Sequence, residues 1–176
     1  MHELATIGGG CYWCLEAFYN LVDGVVRVTS GYSGGHVDNP SVNRVYDGDT
    51  GHAEVIQIEF DPSFISYKEI LEIFFVMHDP TTFNRQGNDV GDEYRSIILY
   101  HDEKQHEIAE DMAHNFADGL WKDPVVTQIV PLEKFWETEE YMKDYYEKNP
   151  SAGYCQMIID PKIQKLRQKF AQKLKH

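Results

Sequence analysis

Leu4-Ala5-Thr6-Ile7-Gly8-Gly9-Gly10-Cys11-Tyr12-Trp13-Cys14-Leu15-Glu16-Ala17-Phe18-Tyr19-Asn20-Leu21-Val22-Asp23-Gly24 changes its periodicity partway along. Leu4 to Ile7 reads as a short strand, three glycines follow, and a helix runs from Cys11 to about Val22 and stops at Asp23-Gly24. A strand that feeds a helix through a glycine turn is an α/β opening. It also puts Cys11 at a helix N-terminus, where the first amides lack internal partners and the helix dipole is positive, a setting that favours thiolate. The plain alternative is a buried structural cysteine beside a tight turn, but three glycines serve the approach of a substrate more than packing.

Outward from this stretch, strands and helices keep alternating. Val25 to Tyr32 is a second strand, and Ala53 to Phe60 alternates like a strand up to Asp61-Pro62. The Ser66-x-x-Glu69 capping box starts a helix from about Tyr67 to Met77. Arg95 to Tyr100 is a strand. Asp102-x-x-Gln105 caps a helix with an Ile108, Met112 and Phe116 stripe, ended by Gly119. Val125 to Val130 is another strand, Thr138 caps a short helix through Tyr146, and Asp160-Pro161 opens a last helix carrying Ile163, Leu166, Phe170 and Leu174. Polar residues on one face of several strands predict a mixed sheet covered mainly on one side by helices.

A chain of 176 residues without repeats, low-complexity runs or Pro/Ser-rich linkers predicts one domain over residues 1–176. No window approaches a membrane span, and Met1-His2-Glu3-Leu4 holds no secretory n-region, so the cytoplasm is the expected compartment. Three cysteines are too few for a disulfide scaffold and point to catalysis or metal binding. A net charge of −13 argues against phosphate-backbone binding, so no nucleic-acid partner is expected. Residues 160–176 carry +5, which leaves −18 on the rest and predicts a basic amphipathic helix packed on an acidic body.

Cys14 follows Cys11 by one helical turn, so it is a candidate resolving thiol. A closed zinc site needs four ligands, and the third cysteine, Cys155, is far along the chain, so no metal is expected. His52-Ala53-Glu54 has the His-x-Glu of zinc deaminases without the Pro-Cys-x-x-Cys after it. Strand parity groups Glu54 with Ile56, Ile58 and Phe60, which turns its carboxyl toward apolar surroundings. Desolvation there raises its pKa and keeps a proton available to a general acid, unless the side chain reaches solvent at the strand's end. Arg85 to Arg95 is a polar loop that by itself reads as a surface turn, and the eight histidines show no metal spacing.

Gly10-Cys11-Tyr12-Trp13-Cys14, Gly31-Tyr32-Ser33-Gly34-Gly35, Gly51-His52-Ala53-Glu54, His78-Asp79-Pro80, Gln86-Gly87-Asn88-Asp89, Tyr94-Arg95-Ser96 and Gly153-Tyr154-Cys155 together resemble the peptide methionine sulfoxide reductase A family in order and spacing. The resemblance implies an α/β (α+β) two-layer sandwich around a central mixed sheet and no cofactor. It also implies thiol-dependent reduction of methionine S-sulfoxide, free or in proteins. Cys11 then corresponds to the nucleophile that becomes a sulfenic acid, Glu54 to the acid that protonates the oxygen, Tyr94 to a phenol donor and Asp89 to an orienting carboxylate. Tyr12 and Trp13 correspond to the aromatic wall around the methyl group. Cys155, in the segment 147–176, matches the family's usual resolving thiol, with Cys14 as the other candidate, and a thioredoxin or similar dithiol is the implied reductant. A monomer is expected.

Four positions depart from the family pattern: Tyr12 for phenylalanine, Val42 for a tyrosine, Tyr46 for a frequent cysteine and Met142 for a histidine. Val42 bears on the chemistry, because it leaves Tyr94 as the only family phenol unless Tyr46, four positions on, takes the missing role. Cys155 is the expected resolver, because a glycine-containing tail swings more easily than two helical thiols distort to disulfide geometry. The readings of a different class are a general disulfide oxidoreductase using Cys11 and Cys14, and a non-catalytic peptide-binding module.

Overall fold

A computed structural model describes residues 1–176. The elements run β1 (Glu3–Gly8), α1 (Tyr12–Asn20), β2 (Val25–Ser33), α2 (Val42–Asp47), β3 (Ala53–Phe60) and α3 (Tyr67–Met77). The two-residue strands β4 (Arg85–Gln86) and β5 (Asp89–Val90), then β6 (Ile97–Tyr100) and α4 (Glu103–Asp111), follow. Helix α4 passes through a π-helical turn (Met112–Ala117) into α5 (Asp118–Leu120). After β7 (Gln128–Pro131), β8 (Phe135–Glu137) and α6 (Tyr145–Lys148), a second π-helical stretch (Cys155–Ile159) leads into α7 (Asp160–Phe170).

The main sheet has the order β7-β6-β1-β3-β2-β8. Every pairing is antiparallel except β6 with β7, so the sheet is mixed, as expected. Ile56, Ile58 and Phe60 of β3 join Leu15 and Phe18 of α1 and Ile70, Leu71 and Phe74 of α3 in one large core. The opposite face holds only a small cluster of Ala53, Val55, Ile97 and Leu99. Helices therefore load one side of the sheet, in keeping with the polar residues on the other. The Ser66–Glu69 capping box and the Asp102 cap on the Gln105 amide, at 2.8 Å, are both present. No helix is long and apolar enough to cross a membrane.

The second half departs from expectation in four places. Strand β7 starts at Gln128, because the Val126 amide donates to the carbonyl of Pro80 at 2.8 Å and residues 125–127 never enter the ladder. Thr138 caps no helix: its amide donates to Ser30, extending the β8–β2 pairing, and its hydroxyl is buried. Asp160-Pro161 does not begin the last helix, since the chain is already helical from Cys155. Leu174 lies past that helix, where it bridges Val22 and ties the C-terminus to the end of α1. Four elements were not anticipated: α2, capped by the Ser41 hydroxyl and closed by a left-handed Gly48, the paired two-residue strands β4 and β5, and β8.

Candidate active site

The three glycines between β1 and α1 are walled in rather than open. A Cβ on Gly8 would stand 2.6 Å from the Glu54 carbonyl oxygen, one on Gly9 2.6 Å from the His78 ring, and one on Gly10 2.7 Å from Gln86. Close packing, more than access, requires the run, and Gly10 also has φ +86°. The walls are rigid: the ring nitrogens of His78 meet the Phe74 carbonyl at 2.5 Å and the Ser96 hydroxyl at 2.7 Å. Burial holds the His78 pKa down to about 4, so the ring is neutral at physiological pH. Gln86 clamps Asp79 through both amide groups, each at 3.0 Å. Cys11 leaves this turn as the N-cap of α1 with an extended backbone (φ −68°, ψ 130°), outside the helix proper and half-buried.

Glu54 stands opposite Tyr32 in the β2–β3 ladder and is fully buried. Its Oε1 accepts the Tyr12 amide at 3.0 Å, whereas Oε2 is buried without a hydrogen-bond partner. Burial first, against the opposing Tyr12 hydrogen bond, lifts its pKa to about 8. The carboxyl is therefore mostly protonated at neutral pH. With Oε1 committed as an acceptor, the acidic hydrogen belongs on Oε2. Burial, and then the neighbouring Glu54, also push the Cys11 thiol well above its ordinary range. This corrects the expectation of a resting thiolate: desolvation outweighs the helix N-terminus.

The aromatic residues divide into two sets. Tyr12 is fully buried, and its hydroxyl meets those of Tyr32 at 2.7 Å and Thr138 at 3.0 Å, while Tyr32 and Thr138 lie 2.9 Å apart. Trp13 stacks flat on Tyr145 (centroids 3.6 Å, 6°) and takes the edge of Tyr154 (5.6 Å, 77°). Tyr94 ends a 3₁₀ turn (Asp92–Tyr94), and its neighbours Glu54 and Cys11, after burial, raise its phenol pKa. Tyr46, which is 45% exposed on α2, is raised by burial and by the same Glu54 and Cys11. Val42 instead buries its side chain in the core. The position that departs from the family pattern is filled by packing, and a different phenol one turn away faces the cluster.

Asp89 accepts the Tyr154 hydroxyl at 3.3 Å. Cys14 is buried, with its sulfur 3.7 Å from that same hydroxyl and 4.0 Å from Lys162 Nζ of α7. Cys155 is also fully buried, but in the π-helical stretch, where Asp160 is the charged group acting on it. The tail that carries it is packed helix here rather than a swinging loop. The structure thus brings Cys11, Glu54, Tyr94, Asp89, Trp13 and Cys14 into one cluster, while Cys155 is buried in the core, in the π-helical stretch. Sequence reading missed Tyr154, Tyr145, Thr138 and Lys162. Tyr154 stands in the quoted Gly-Tyr-Cys motif and was within reach; the other three had no local signal.

A family model described as peptide methionine sulfoxide reductase matches residues 3–174. The chain is 56% identical over 171 residues to the peptide methionine sulfoxide reductase MsrA of Sulfolobus acidocaldarius, covering 97% of each chain. Among solved structures it resembles reduced Mxr1 from Saccharomyces cerevisiae, with a TM-score of 0.80 and 34% identity over 88% of this chain and 89% of that one. It also resembles Mxr1 in complex with Trx2, with a TM-score of 0.53 and 25% identity over 82% and 84%.

Proposed function

The chain belongs to the peptide methionine sulfoxide reductase A family and is an enzyme of thiol-dependent methionine sulfoxide reduction, and from that premise we propose how its own residues carry the reaction. Cys11 attacks the sulfoxide sulfur while Glu54 delivers its Oε2 proton to the oxygen. Tyr94 and Tyr46 donate to the same oxygen, and Asp89 orients the cluster. The oxygen ends on Cys11 as a sulfenic acid and methionine leaves; the proton from Glu54 stays on the sulfenic hydroxyl and the Cys11 thiol proton replaces it on the carboxyl, so no external acid is consumed. Trp13 supplies an apolar face for the methyl group. Tyr12, sealed beneath it, supports that wall through its hydroxyl contacts.

The observation that carries this reading is the unpartnered Glu54 Oε2, a fully buried carboxyl oxygen beside the one half-buried thiol. A second thiol, Cys155 or Cys14, then condenses with the sulfenic acid. A thioredoxin-type dithiol closes the cycle, a reading supported by the Mxr1–Trx2 complex. The substrate is the S epimer, free or within proteins. We further propose a single catalytic domain that works as a cytoplasmic monomer, where a reducing environment keeps three cysteines free, with no nucleic-acid or membrane partner for a body of net charge −13. Dabsyl-methionine sulfoxide, supplied as separate epimers with a dithiol, tests the core of it: the S epimer is consumed and the R epimer persists. Equal consumption of both epimers contradicts the assignment.

A further inference from the structure

We infer that Met157 is an oxidation site of this chain, and that its sulfoxide is a substrate for the active site of a second copy. The inference rests on the reading of Cys11 as nucleophile and adds one macromolecular substrate to it, the protein itself.

The chain has five methionines. Met77, Met112 and Met142 belong to the core and are at most 7% exposed, whereas Met157 is 77% exposed. Met1, at the N-terminus, is exposed as well. Met157 is therefore the one internal methionine whose thioether meets solvent.

The reason lies in the π-helical stretch Cys155–Ile159. Cys155 and Ile159 are both fully buried and stand about one turn apart, so Met157, midway between them, falls on the outer side. Gln156 beside it is exposed too, and its amide donates back to the Ala152 carbonyl at 3.0 Å, so the turn that presents the thioether is hydrogen-bonded. At that exposure the side chain adds little packing, and its distinguishing property is the oxidisable sulfur.

A peroxide transfers one oxygen atom to the Met157 sulfur and leaves as water, which takes the thioether to a sulfoxide. On the outer side the new S–O dipole is hydrated and the fold is undisturbed. The same change at Met77, Met112 or Met142 puts a polar group into the core. The product carries the functional group that Cys11 attacks. Its oxygen passes to Cys11 as a sulfenic acid and the thioether is restored; a second thiol and an external dithiol then return Cys11 to the thiol, and the oxygen leaves as water. The outward aim decides which copy acts. Buried anchors on both sides keep residue 157 turned away from its own interior, so the repairing Cys11 belongs to another chain. Oxidant is thus taken up where it does least harm, and the chain's own reaction clears it.

The test uses full-length Cys11→Ser protein, which lacks the nucleophile, oxidised with hydrogen peroxide and then desalted. Residues 149–162, between Lys148 and Lys162, carry Met157 as their single methionine, and fragment masses separate its oxygen from any on Cys155. Met157 gains oxygen at least roughly tenfold faster than Met77, Met112 and Met142, in line with its exposure. A catalytic amount of wild type with a dithiol then removes the label until about half remains, the share of the epimer that one enzyme leaves untouched. Dithiol alone removes none. Free methionine S-sulfoxide in the same tube is the internal control. Met157 oxidised no faster than the core methionines, or its sulfoxide fully retained while the free sulfoxide is consumed, overturns the inference. Persistence of the free sulfoxide as well overturns instead the reading of Cys11 on which it stands.

Discussion

Residues 8–14 and residues 138–155 converge on the same cluster of thiols and carboxyls from opposite sides. The first segment arrives by backbone: three glycines wedged against His78, Gln86 and the Glu54 carbonyl set the position of Cys11, and the Tyr12 amide holds Glu54. The second arrives by side chains alone, with Thr138 on Tyr12 and Tyr32, Tyr145 on Trp13, and Tyr154 on Cys14 and Asp89. Backbone wedges and buried short hydrogen bonds hold a geometry to a fraction of an ångström. Ring stacks and a long thiol contact hold it less tightly. The contrast assigns chemistry to the first segment and support of its walls to the second.

Substitutions in the first segment should therefore remove chemistry outright. Cys11→Ser is expected to abolish reduction of methionine S-sulfoxide, because a serine alkoxide is far scarcer than a thiolate near neutral pH. Measurable turnover in that variant breaks the division at its root. Glu54→Gln is expected to slow the reductive step by roughly a hundredfold or more, within the range of a positioned general acid. In wild type, single-turnover rates should fall as pH rises through about 8, where Glu54 loses its proton, and the glutamine variant should lose that limb. Stability moves the other way. The folded carboxyl has the higher pKa, so between about 4.5 and 8 the unfolded chain has lost a proton that the folded chain keeps, and wild-type stability falls with rising pH. At pH 8 Glu54→Gln should be the more stable protein, by an amount on the order of a few kcal/mol. Thermal melts of the two proteins at pH 5 and pH 8 check the sign.

The same division marks what the sequence made legible. Strand parity placed Glu54 among Ile56, Ile58 and Phe60, and the capping box bounded α3, because both signals are local and buried surroundings reinforce them. Cys11 stood out because a glycine run at a strand–helix junction is itself a local pattern. The later segment has no such periodicity. Thr138 looks like a cap in sequence and becomes a core hydroxyl only because β8 pairs with β2, a contact between residues about a hundred positions apart. The raised Cys11 thiol was likewise invisible, since the helix terminus is local and the burial that outweighs it is tertiary. Lys162 reads as one charge on a solvated helix until α7 is laid against α1.

Between the two segments lies α2, which supplies Tyr46. If Tyr94 were the sole phenol at the sulfoxide oxygen, its loss would cost roughly a hundredfold, about the value of one oxyanion-hole donor. With Tyr46 beside the same Glu54 and Cys11, each single Tyr→Phe change should cost less than about fivefold, and the double variant should approach the hundredfold loss. Single-turnover rates for the four proteins sharpen the comparison. A full loss in Tyr94→Phe alone removes Tyr46 from the chemistry, and simple additivity removes the idea that one donor covers for the other.

The smallest effect tests the joint between the segments. The Tyr12 hydroxyl touches Tyr32 at 2.7 Å and Thr138 at 3.0 Å, and those two remain 2.9 Å apart without it. Tyr12→Phe therefore removes a buried donor while leaving its former partners paired, so the expected cost is one net hydrogen bond, about 1 kcal/mol. For a chain of this size that lowers Tm by roughly 2–4 °C. Turnover should stay within about twofold, because the ring and the amide that holds Glu54 are untouched and ~0.4 kcal/mol of barrier is all that such a change allows. Thr138→Val is the companion variant. It strips the arm of its only hydroxyl in the triad and should lower Tm further and loosen Tyr145 from Trp13, read as a change in tryptophan emission. If Tyr12→Phe instead slows reduction tenfold at an unchanged Tm, the hydroxyl belongs to the chemistry, and the boundary between the two segments has to be redrawn through residue 12.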